Sequence, residues 1–267
     1  MSGRLLAQTL RWERVRLIVV VLTAFGWGLL IPVIYSAFSE VFRGMATSGV
    51  IPEELLNFGS GSLFTLPGAV TLGFQHPLAL AMLGIFAVGS SATAVAGERA
   101  RGTLEVLLAR PISRLALYAS ILGALLLVVL IVLLAILGGM IAGSLIQGIA
   151  DEVDLGLMPL VLLNGFGLWA AFTTFGMAAS VSFDRPGPAV GLALAYLVVN
   201  YFLEILGSLW TDAAWTQEYS LFHHFDPGEI LSGNLQPIDL VIVFTAAIVP
   251  VVYAFIVFPR RDLAAPA

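Results

Sequence analysis

Apolar residues run along this chain in long blocks separated by short polar stretches. A segment needs about 20 mostly apolar residues to cross roughly 30 Å of hydrocarbon. Six blocks meet that length, over 17–38, 77–97, 115–146, 158–181, 188–209 and 238–258. The third exceeds one perpendicular crossing, which predicts a tilt or an end lying in the interface. Between the first two lies 39–76, where Gly59-Ser60-Gly61-Ser62 precedes a moderately apolar run, 63–74, interrupted by Pro67 and Gly68. That run is too short and broken to span, so an interfacial or re-entrant piece is expected. The connection 147–157 is short and acidic, with Asp151, Glu152 and Asp154. A tight turn over 182–187 carries Asp184, Pro186 and Gly187, and 211–237 forms a second substantial loop. With no internal repeat and no linker, residues 1–267 read as one membrane domain. The expected class is an all-α polytopic membrane protein with six transmembrane helices.

Composition sharpens this. Hydrophobic residues are 59% of the chain and charged residues 11%, against about 25% charge in a soluble globule. Mean hydropathy is +0.99. There is too little polar surface to coat a water-facing body. The chain has no Cys, which removes disulfides, thiolate metal sites and thiol catalysis. All 12 basic residues are Arg, so neither a lysine Schiff base nor a Walker A motif can form. If ATP drives this protein, a separate polypeptide binds the ATP and its Mg. An arginine-only basic complement is also a compositional mark of GC-rich or halophilic prokaryotes.

Charge placement sets the expected topology. With both termini in the cytoplasm, six crossings leave Arg4, Arg11, Arg14, Arg16, Arg99, Arg101, Arg110, Arg114, Arg185, Arg260 and Arg261 inside, and only Arg43 outside. The opposite orientation would violate the positive-inside rule. Loops 39–76 and 211–237 then face outward. The Arg-rich start resembles a signal-peptide n-region, but the apolar run after it is too long for a cleavable segment and no A-x-A site follows. A retained anchor is expected.

The densest charge lies between the second and third blocks, from Glu98 to Arg114: E-R-A-R-G-T-L-E-V-L-L-A-R-P-I-S-R. Leu104, Leu107 and Leu108 fall at i, i+3 and i+4, one apolar face of a short helix. Arg101 and Glu105 are spaced to pair on the other face. Pro111 ends the helix, and Ser113 is placed to cap the third span. Two readings compete: a membrane-surface helix whose arginines only anchor topology, or a docking element for a soluble partner.

This run resembles the signature of type 2 ABC exporter permeases, E-x-x-x-G-T-L-E-x-L-L-x-x-P-[IVL]-S-R. Glu98, Gly102, Thr103, Leu104, Glu105, Leu107, Leu108, Pro111, Ser113 and Arg114 all match, and the six-span layout extends the resemblance over the whole chain. The resemblance implies a permease working as two copies or a pseudo-dimer. Its segment 98–114, with Arg101, would contact an ATP-binding subunit, and residues 1–16 would form an elbow helix lying on the membrane. Leu5, Leu6, Leu10 and Val15 face away from several arginines there, which permits this. Family members often carry Lys where the third span begins; Tyr118 and Ser120 occupy that neighbourhood here. A multi-pass protein of a prokaryotic cell membrane follows, with no catalytic residue and no nucleic-acid partner.

Polar residues inside the spans are few, as the cost of charge in lipid requires. Glu204 is the only acid well within an apolar block, one turn after Asn200 on the same face. It either snorkels to the outer surface or lines a translocation path. Asn164, Thr173, Thr174 and Ser180, with Gly165, Gly167 and Gly176, suggest close helix packing or a path lining. Gly89, Ser90, Ser91 and Thr93 make a similar face in the second block. His223, His224 and Asp226 are a weak metal-ligand set. Glu53-Glu54 superficially resembles the paired glutamates of membrane-embedded prenyl proteases, but the Arg that should follow in E-E-x-x-x-R is missing and no H-E-x-x-H occurs. A secondary transporter or channel-like protein without an ATPase is the main alternative; Glu204 is its sole candidate coupling group. No residue pattern names a substrate.

Overall fold

A computed structural model describes residues 3–48, 65–109 and 112–261. It contains only helices and turns among the described residues. Five helices are each long and apolar enough to cross a membrane, and a bent pair supplies a sixth crossing if counted as one span.

Helix α1 runs unbroken from Gly3 to Thr47. The expected separate elbow over 1–16 does not form. Residues 4–25 contain neither Gly nor Pro, so nothing stops the helix at the end of its basic stretch. Pro32 is accommodated inside it. The helix also passes the expected end of the first span; the Gly-Ser run, Glu53 and Glu54 lie outside the described residues.

The re-entrant expectation falls on α2, Leu66–Gln75, which is capped by Thr65 and almost entirely buried. It meets α3, Pro77–Thr93, at a 50° bend at His76. The bend orphans carbonyls in the last turn of α2, and side chains from two other spans supply donors. Trp27 Nε1 donates to Gly73 O at 3.0 Å, and the Tyr201 hydroxyl donates to Gln75 O at 3.0 Å. His76 accepts from Leu78 N at 3.2 Å to start α3, and its ring lies 4.6 Å from that of Trp27. Residues Ile85–Ser90 of α3 are π-helical. A turn at Ala94 and Val95 then leads to two short helices, α4 (Ala96–Ala100) and α5 (Thr103–Leu108).

Helix α6 spans Arg114–Gln147, the long third span. Its Gly139 sits where a Cβ would lie 2.1 Å from Phe25 O, and Gly28 of α1 where a Cβ would lie 2.0 Å from Ile136 O. Two backbones therefore touch through paired glycines, the small-residue packing typical of membrane helices. Helix α7, Met158–Ser182, is the most buried span and packs against α3, α6, α8 and α10. Helices α8 (Pro186–Leu209) and α10 (Pro237–Arg260) keep broad apolar faces exposed. The 211–237 connection is not an open loop. It folds as 3₁₀ turns over Thr211–Tyr219 and Leu221–His224, then α9, Pro227–Leu231, and it buries Phe222 and Phe225 in the main core.

Contacts sort the two ends of the bundle. One end carries Arg16, Glu98, Arg114, Asp184 and Arg261; both ends of the described chain lie there. The other carries Glu152, Asp226 and Asp239. They are called the basic and acidic ends below.

Candidate coupling site and polar path

The basic end is built from the break after α3. Leaving the π-helical stretch, the chain turns at Ala94–Val95, and the amides of Val95 and Ala96 both donate to Ser180 Oγ of α7, at 2.9 and 3.0 Å. One buried hydroxyl thus holds the entry to the segment that matches the motif. Ser180 was expected to pack or to line a path; a serine two positions before a span's end gives no sign in sequence that it accepts from a distant backbone.

Gly102 then takes φ +70°, a left-handed conformation that glycine adopts without the usual side-chain penalty. This kink separates α4 from α5 and changes the expected pairing. Arg101 bonds Glu98, its neighbour on α4, where an unbroken helix would have set it beside Glu105. Thr103 Oγ1 donates to Glu98 O at 3.1 Å and also bonds the Glu98 carboxylate. Glu98, Arg101, Gly102 and Thr103 therefore form one staple across the α4–α5 turn. Leu104 is buried in a small core with Val95, Leu117, Tyr118, Val181 and Phe258, so that part of the leucine face grips the bundle. Glu105 is exposed on the opposite side. The side chains of Leu107 and Leu108, and Pro111 as a whole, lie outside the described residues.

Ser113 caps α6 as expected, accepting from Ala116 N at 3.1 Å. Arg114 does more than the motif suggests. Its guanidinium donates to Phe258 O (3.5 Å), Pro259 O (3.1 Å) and Arg261 O (2.7 Å), supplying donors to the carbonyls at the end of α10. Asp184 forms an ion pair with Arg99 at 2.9 Å and another with Arg261, which bonds Val181 O. The ends of α3, α6, α7 and α10 are thereby tied around α4 and α5. A cavity of about 270 Å³ lies between this region and α1, where Arg16 bonds Glu13 (3.1 Å) and Ser90 (3.0 Å).

The candidate path residues lie on α7 and α8. Thr173 and Thr174 donate to carbonyls of their own helix, Trp169 O at 2.7 Å and Ala171 O at 3.1 Å, which is packing chemistry. Asn200 accepts from Leu221 N at 2.8 Å, while Ser220 donates to Asn200 O at 2.9 Å. Glu204 does not snorkel. It is buried, and Gln217 Nε2 donates to it at 2.9 Å. The 3₁₀ turns fold back over α8 and close the polar face that Asn200 and Glu204 share. Asn164 is fully buried on α7, and among the described residues neither of its amide atoms has a partner. His224 bonds Asp239 at 2.8 Å and His223 is exposed; among the described residues no three His, Asp or Glu side chains are grouped to hold a metal ion.

A larger cavity, about 880 Å³, is an apolar recess between α7, α8 and α10, lined by Phe175, Tyr196, Val249 and Tyr253 among others.

Residues 6–263 match the model of a family described as ABC-2 family transporter protein. No curated protein matches the chain.

Proposed function

The chain belongs to the ABC-2 transporter family, and from that premise we propose that it is the membrane subunit of an ATP-driven exporter. It pairs with a second permease copy, or a related permease, to form the path, and a separate ATP-binding subunit docks on α4–α5. The basic end faces the cytoplasm, in keeping with the positive-inside rule, and the protein sits in the cell membrane of a prokaryote. The observation that carries this reading is the fold of the Glu98–Arg114 motif. Gly102 and the Glu98 staple hold a short helix whose Leu104 is sunk in the bundle while Glu105 stays exposed.

Coupling in such a device is mechanical. A push on α5 passes through Leu104 to the cluster with Tyr118, Val181 and Phe258, hence to α6, α7 and α10 together. Ser180 and Asp184 add polar ties to α7 and to the turn after it. Interfaces of this kind rearrange between discrete packings instead of deforming smoothly. A bare membrane-surface helix would have no need of so many ties.

The test is capture of an ABC-type ATPase by the tagged chain, with transport assayed in the reconstituted pair. Glu105→Arg and Leu108→Asp should leave insertion intact yet weaken ATPase capture or the coupling of hydrolysis to transport by tenfold or so, the cost of about 1.4 kcal/mol at an interface. Undiminished capture and normal transport in both variants would rule out docking at α5.

A further inference from the structure

At the acidic end, between α7, the 3₁₀ turn Leu221–His224, α9 and the start of α10, lies a cavity of about 160 Å³. Asn164, His224, Asp226, Glu229, Asn234 and Asp239 are among its lining residues. Asn164 projects from α7 within two turns of its first residue, is wholly buried, and among the described residues has neither its amide oxygen nor its amide nitrogen bonded. A buried amide without partners costs about 1–3 kcal/mol, so a side chain of this kind inside a membrane-spanning helix marks a place where something polar belongs.

The rest of the lining says what. Three carboxylates surround the space, and each is held from one named oxygen: Asp226 Oδ1 caps α9 and takes Thr71, Glu229 Oε2 takes Asn234, and Asp239 Oδ1 meets His224. No arginine is among the lining residues. The site is therefore attractive to a cation. A bare metal ion does not suit it, because no three of these His, Asp and Glu side chains converge closely enough to ligate one. Asn164 instead offers an acceptor and a donor side by side. The complementary ligand carries N–H donors, a positive charge and an acceptor of its own, within a handful of heavy atoms.

We propose that this cavity binds a small organic ammonium with an oxygen acceptor two carbons away, with Asn164 reading the pair and the carboxylates supplying the charge preference. That pairing is presented by a soluble amino alcohol, whose oxygen is a hydroxyl, and by an ethanolamine lipid headgroup, whose oxygen is a phosphate ester. The inference does not rest on coupling to an ATPase, and its test needs no ATPase.

The test is thermal unfolding of the full chain, followed by tryptophan fluorescence, in phosphatidylcholine nanodiscs. Ethanolamine is the probe; n-propylammonium and ethylene glycol, at matched ionic strength, are the controls. A ligand that binds only the folded state raises the midpoint in a saturable way. Ethanolamine should do so, propylammonium should need a higher concentration, and ethylene glycol should have no effect. Asn164→Leu, which replaces an unpartnered amide by an apolar group of similar size, should fold normally and lose the response. Glu229→Gln, on the exposed rim, should raise the half-saturating concentration about tenfold. Exchanging a fifth of the lipid for phosphatidylethanolamine separates the two sources. Loss of the free-ethanolamine response together with an Asn164-dependent rise in the midpoint identifies the headgroup, and a persisting response identifies the soluble amine. The proposal is overturned by the absence of a saturable rise in either membrane, or by an equal response in Asn164→Leu.

Discussion

Ser180 shows how much one side chain can hold when a helix breaks inside a bundle. The turn at Ala94–Val95 frees two amides, and a single hydroxyl from α7 meets both. Water would do this at a surface; here the site is buried, so the donors would otherwise stay unmet. Ser180→Ala should therefore destabilise the protein by about 1–3 kcal/mol, lowering the thermal midpoint in detergent and increasing protease cleavage near Gly102. A Ser182→Ala control, whose hydroxyl bonds its own helix and Tyr253, should be much milder. Equal effects of the two would show that Ser180 is a packing residue like its neighbours. Arg114 belongs to the same scale: a motif residue matched for docking also holds the last carbonyls of α10, so its loss would be felt in folding before coupling.

Among the elements, α1 and α6 form the closest pair. Gly28, Gly139 and Gly143 are positions where an added Cβ would fall within 2.6 Å of a carbonyl oxygen on the facing helix. Because backbone meets backbone, no rotamer change can make room. Gly139→Leu should separate the helices and cost several kcal/mol, read as loss of the folded monodisperse species by size-exclusion chromatography. Gly26→Leu, at a position open to its surroundings, should be tolerated; if Gly139→Leu eluted normally too, the contact would not be structural. The α2–α3 bend obeys another rule. His76 precedes Pro77, which disfavours helical backbone at His76, and the side chains of Trp27 and Tyr201 accommodate the resulting break by bonding the freed carbonyls. The break was legible from Pro77; its partners, 46 and 126 residues away, were not.

The whole molecule separates charge by end. Arginine clusters are held by Glu13, Glu98 and Asp184 at one end, while Glu152, Asp226 and Asp239 sit at the other. The chain has no Cys, so single-cysteine variants test the orientation directly. In intact cells, an impermeant maleimide should label Glu218→Cys and spare Arg185→Cys until the membrane is opened; the reverse pattern would invert the topology. Exposed apolar faces on α1, α8 and α10 are those a bilayer or a second copy would cover.

Spans and the capped start of α6 were readable in the sequence, since hydrophobic run length and Ser before an apolar block are local signals. The unbroken α1 and the Arg101–Glu98 pair were less so: each turns on whether a helix stops at one residue, which neighbours settle. Glu204 looked like a snorkelling carboxylate because its cover, Gln217, arrives from a segment that reads as loop. Composition and charge order alone determined that this is a multi-helix membrane protein with an expected inside and outside, because the solvent acts on each segment separately. Which buried polar groups find partners, and that Asn164 finds none, was decided only when distant segments met, since a hydrogen bond depends on distances that no local pattern contains.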